Sequence, residues 1–193
     1  MGRAPVGRAF FLSLLPLFAL LAAPPGTAQT PAPLPLHDGF EFGAFAPWWT
    51  LVPTPPLPPA VAPTRVLESL SPAVGVGHAV LDNGTTGSYV LNELTLNLDL
   101  QEYEQVTLSF LARTFGGQPH LLAPWAAFTG NPAWDGLAAS PDGVTWYPLR
   151  HLTTDHGLTT AYTEFTVDLD AAAVLWGFSY SNTFFLRFSH YDN

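Results

Sequence analysis

The stretch Trp134 to Leu149 (WDGLAASPDGVTWYPL) limits the fold more than any other part of the chain. Leu137 and Ala139 alternate with small or polar neighbours, Ser140-Pro141-Asp142-Gly143 interrupts, and Val144, Trp146 and Pro148 resume the alternation. Proline presets φ for a turn and Asp-Gly tolerates the positive φ of a tight reversal, so the stretch reads as a β-hairpin. Period-two patterns recur on both sides of it. In Gln105–Arg113 (QVTLSFLAR), Val106, Leu108, Phe110 and Ala112 share one face, which is the pattern of an antiparallel strand with one dry side. Phe165, Val167 and Leu169 within 163–169, and Phe184, Leu186 and Phe188 within 184–189, repeat it. Shorter strands are expected at 37–42, with Phe40 and Phe42 on one face, and at 65–70, 78–82, 88–91 and 94–98, with Gly75, Gly77 and Asn83-Gly84 as breaks. Asp170–Trp176 is long enough for a helical turn and no more. Many short strands at this spacing predict an all-β, antiparallel sandwich or barrel.

The first 28 residues have a different character. Arg3 and Arg8 precede an apolar run from Phe10 to Ala23, and the small residues Gly26-Thr27-Ala28 follow it. This is the layout of a cleavable secretory signal helix, residues 1–28. The run is shorter than the roughly 20 apolar residues of a membrane span. Residues 29–35 (QTPAPLP) read as an extended Pro-rich tether, which leaves 36–193 as one domain large enough to enclose a core. Six prolines between Pro53 and Pro63 rule out a central strand or helix there and predict a surface loop.

Charge removes several classes of function. The chain has no lysine, six arginines, 15 acids and a net charge of −9. Such a surface repels phosphate backbones and anionic membranes, so neither nucleic acid nor a membrane surface is an expected partner. Secretion would permit disulfides, but there is no cysteine.

Catalytic signatures are missing too. Nucleophilic chemistry has no cysteine and no G-x-S-x-G elbow, and zinc-peptidase chemistry has no H-E-x-x-H. Fifteen acids could supply a glycosidase pair, but a sequence cannot place two carboxylates across a substrate. His151, Asp155 and His156 cluster in a loop that reads either as solvated or as a transition-metal site, while His78 and His120 stand alone. Aromatic faces suit sugar binding. Of the six tryptophans, Trp146 lies on the hairpin and reads as packing. Trp125 and Trp134, in the Gly/Pro-punctuated stretch before it, are the candidates for stacking on a sugar.

Three stretches together resemble a family. Asp38-Gly39-Phe40-Glu41 followed by tryptophan, Asp135–Ser140 with Asp142-Gly143 and Trp146, and Leu186-Arg187-Phe188 with Tyr191-Asp192-Asn193 are similar to the opening, central hairpin and penultimate strand of secreted bacterial jelly-roll modules. Those modules are MAM-like and concanavalin-like, and akin to the accessory sandwich of immune-inhibitor-A-type peptidases. The resemblance implies a jelly-roll sandwich over 36–193 that lacks its last strand. It also implies a structural Ca²⁺ at Glu41, with Asp38 as a second candidate ligand. Together these readings predict a non-catalytic extracellular binding or adhesion module whose partner is a glycan or cell-surface protein. The alternative is an architectural accessory or spacer domain of a larger secreted hydrolase or surface protein.

Overall fold

The computed structural model describes residues 9–14, 30–54, 64–82, 90–115 and 124–192. Two antiparallel sheets face one another across a shared apolar core. In chain order the strands are β1 (Ala9–Leu14), β2 (Trp49–Thr54), β3 (Thr64–Leu67), β4 (His78–Asp82), β5 (Val90–Leu98) and β6 (Thr107–Thr114). They continue as β7 (Phe128–Thr129), β8 (Gly136–Ser140), β9 (Thr145–His151), β10 (Thr163–Asp168) and β11 (Phe184–Asp192). One sheet has the order β10-β6-β1-β4-β3 and the other β2-β5-β11-β8-β9-β7.

The period-two patterns place the core. Val106, Leu108, Phe110 and Ala112 are all buried, as are Phe184, Leu186 and Phe188. Their faces meet where Phe110 stacks on Phe165 at 5.4 Å and meets the Phe188 ring edge-on at 5.2 Å. The edge-on Phe110–Phe188 contact joins the two sheets, while Phe110 and Phe165 stack within one of them.

The hairpin forms as its residues predict. Ser140 Oγ accepts the Gly143 N–H (2.8 Å), and Asp142 Oδ1 accepts the N–H groups of Val144 and Thr145 (both 2.8 Å). Gly143 takes φ 72°, which a side chain would resist. Burial works against ionisation of Asp142. The donors from Thr145, Val144 and Ser140 outweigh it and hold the carboxyl below its ordinary range.

Several features differ from the sequence reading. Residues 9–14, within the expected signal helix, form β1, an extended strand hydrogen-bonded between β4 and β6. Phe40 and Phe42 do not share a strand. Phe40 adopts φ 58° and is buried, while Phe42 is 96 % exposed. The expected tether is packed at Ala32, which bridges to Leu98 and is buried. The single turn at 170–176 is an eight-residue helix, α1 (Leu169–Trp176), whose Asp168 N-cap accepts the Ala171 N–H at 2.9 Å and whose C-cap is Gly177 in the left-handed conformation. Strands expected at 88–91 and 94–98 merge into β5. Asn83-Gly84-Thr85, His120 and most of the 53–63 proline segment lie outside the described residues. Among those described, no helix is long and apolar enough to cross a membrane.

Candidate functional site

Two aromatic regions flank the β8–β9 hairpin, and they have opposite characters. On the outer face of the six-stranded sheet, Trp134 is fully buried against Ala138, Trp146 and the edge of Phe128 at 5.9 Å. Room for the indole comes from Gly136, where a Cβ would collide with the Trp134 ring and the Arg150 carbonyl. Beside it, the Arg187 guanidinium lies 3.5 Å from the centre of the Trp146 ring and donates to Glu93 Oε1 (3.0 Å) and to the Gly130 carbonyl (2.9 Å). This cation–π and ion-pair cluster closes the face. Burial pushes the Glu93 carboxyl up to about 7, against the opposing pull of Arg187. The same burial lowers the pKa of Arg187. Trp134 therefore has no ring face to offer a ligand. Trp146 packs as its place on the hairpin predicts.

Along the Pro148–His151 part of β9 lies a more open aromatic region. Pro124, Trp125, Pro148, Leu149, Arg150, His151 and Trp176 line a cleft of about 130 Å³. Trp125 is 82 % exposed and its ring centre lies 6.0 Å from His151, tilted by 59°. Helix α1 brings Trp176 to the opposite wall, where it leans on Tyr147 at 6.0 Å. The strand β9 forms the floor, and Pro148 there removes a ladder donor from the strand. Burial, with the neighbouring His156 and Arg150, keeps His151 below the ordinary imidazole range. At neutral pH His151 is uncharged, with one ring nitrogen to donate and one to accept. Sequence reasoning found Trp125 but missed Trp176, Arg150 and His151 as its neighbours, because only the fold brings α1 to the end of β9.

The two histidines of the 151–156 loop stack on each other at 4.4 Å and 27°, and His156 Nδ1 bonds to Thr153 Oγ1 at 2.7 Å. Rings stacked in this way do not converge on one ion. Among the described residues no group of three metal-ligating side chains gathers anywhere.

Glu41 and Asp38 were the candidate calcium ligands, and both are engaged with N–H donors. Asp38 Oδ1 accepts the Phe40 N–H (2.9 Å), and Oδ2 accepts the indoles of Trp49 (2.8 Å) and Trp48 (3.3 Å). Glu41 Oε2 accepts the Val76 N–H (2.9 Å), and the carboxylate lies in space that a Cβ at Gly75 would fill. Among the described residues no group of three candidate metal ligands includes either carboxylate. The motif forms a corner: Asp38 orients two tryptophans, and Phe40 and Trp49 pack at 5.7 Å.

No family model, characterised protein or solved structure matches the chain.

Proposed function

We propose that this chain is a non-catalytic extracellular binding module, a jelly-roll type sandwich that holds a glycan in the cleft between Trp125 and Trp176. The observation that carries this reading is the exposed Trp125 ring. A large aromatic left open beside a second tryptophan, a neutral imidazole and a guanidinium is the surface a sugar ring uses. Its C–H face lies on the indole, and its hydroxyls bond to planar polar groups. The acidic charge balance disfavours anionic polymers as the occupant, so the proposed ligand is a neutral oligosaccharide.

The reading is tested by screening a glycan array with the wild-type chain, Trp125→Ala and Trp176→Ala. Retention of a neutral glycan by the wild type, with loss in both variants, is the expected result. A wild type that retains no glycan, or a Trp125→Ala chain that binds as well as wild type, would overturn it.

A further inference from the structure

In the five-stranded sheet, β4 and β6 do not touch. Each is hydrogen-bonded to β1 on its inner side and to β3 or β10 on its outer side. Because β1 runs antiparallel to both, β4 and β6 are parallel to each other and about 9.5 Å apart, two inter-strand spacings. Four residue pairs join β1 to β4 and five join it to β6. Leu12 is opposite Ala79 on one side and Ala112 on the other; Phe10 is opposite Leu81 and Thr114, and Leu14 is opposite Phe110. Ala79, Leu81, Phe110 and Ala112 belong to the central core and have no solvent exposure.

The six residues at this central position (AFFLSL) come from a segment whose composition is that of a secretion leader, and residues 15–29 separate them from the next described residue, Thr30. Withdrawing them would leave two facing rows of backbone donors and acceptors without partners and open the core between them. The gap cannot close cheaply. Sliding β4 onto β6 would move β4 and β3 by one strand spacing across the opposing sheet and pull the fully buried Ala79 and Leu81 out of their core packing.

We propose that the channel between β4 and β6 is a strand-acceptor site for an extended apolar peptide, and that residues 9–14 are its occupant in this chain. Main-chain bonds to both neighbours supply affinity. The small side chains Ala79 and Ala112, flanked by Leu81 and Phe110, supply preference for apolar residues at alternate positions. The occupant is non-covalently held once the link is cut, so a peptide of the same pattern takes its place. Proline within the occupant is excluded, because a central strand needs its N–H groups on both sides.

The test uses the full chain with a specific protease site placed at residues 26–28. The protein is folded, cleaved, unfolded in guanidinium chloride and refolded with an excess of a fluorescent peptide of residues 7–16. We expect the labelled peptide to co-migrate with the 29–193 fragment in size-exclusion chromatography, and the amides of β4 and β6 to exchange slowly in that complex. The same peptide carrying Leu12→Pro should not co-migrate. In the uncut chain, Leu12→Pro should lower Tm by more than about 10 °C. The proposal is overturned if neither peptide is retained, if both are retained equally, or if β4 and β6 stay protected with no peptide bound.

Discussion

The two tryptophan regions beside one hairpin show how the same residue serves packing in one place and is left exposed in another. Trp134 and Trp125 sit nine residues apart in the same loop-rich stretch, and nothing in their local sequence separates them. What separates them is the surface beneath. Gly136 and Ala138 leave a shallow bed on β8 into which Trp134 sinks, and Arg187 stacks on Trp146 to complete the cover. Trp125 has its ring 6.0 Å from His151 on β9, in a cleft that Pro148 and Arg150 also line, and it stays 82 % exposed. One aromatic region is buried in the fold, and the other leaves a tryptophan exposed to solvent, where the proposed ligand would sit.

The largest effect that would break this contrast is at Trp134. Replacing it with alanine removes a fully buried indole, and chemical denaturation should show a loss of about 3–5 kcal/mol. A loss below about 1 kcal/mol would mean that the buried cluster is not structural. Next comes Arg187→Met, which keeps much of the packing over Trp146 but leaves Glu93 with no counter-charge. Above about pH 7, where Glu93 is ionised, breaking the buried pair from one side costs about 3 kcal/mol, read in the same assay, and Glu93→Gln with Arg187→Met should recover part of it.

A smaller effect concerns pH. Folded Glu93 keeps its proton to about pH 7, whereas the unfolded group loses it near 4.5, so this site makes stability fall as pH rises between those values. His78 is buried with its Nδ1 3.0 Å from the Tyr162 hydroxyl, and burial, aided by Arg113, lowers its pKa to about 4 from 6.5. The unfolded histidine takes up a proton that the folded one refuses, so this site makes stability rise with pH over about 4 to 6.5. The two slopes oppose each other between about 4.5 and 6.5. Relative to wild type, His78→Gln should tilt stability downward with rising pH and Glu93→Gln should tilt it upward, each by about 1 kcal/mol per unit. Denaturation midpoints at pH 4.5, 5.5 and 6.5 read the difference directly, and parallel profiles would contradict the assignment.

The smallest effects are expected at the open sites. Trp125→Ala should change stability by less than about 0.5 kcal/mol, as for other surface substitutions. Chelating divalent cations should leave Tm unmoved, because Asp38 and Glu41 already have N–H partners. A fall in Tm with EDTA that calcium restores would show that these carboxylates have a further role.

Legibility in the sequence followed the range of the forces involved. The hairpin could be read because Ser140, Asp142 and Gly143 build their turn from each other's hydrogen bonds. The inward faces of β6 and β11 could be read because alternation is a local pattern. Long-range cover could not. Glu93, Arg187 and Ser189 occupy polar positions that alternation assigns to solvent, yet all three are buried. Phe40 looks like a strand residue, but Asp38 draws its N–H into a corner with positive φ. The apolar segment at 9–14 has the composition of a leader and the pairing of a central strand, and composition alone does not distinguish the two.

The contrast between the two regions is tested most directly by the indole N–H signals of a ¹⁵N-labelled sample, assigned by single Trp→Phe replacements and followed while a neutral oligosaccharide from the array is titrated in. The Trp125 and Trp176 signals should move together and saturate, while Trp134 and Trp146 stay in place. Movement of Trp134 with Trp125 unmoved, or no movement of any indole across the panel, would contradict the assignment of the open cleft as the binding site.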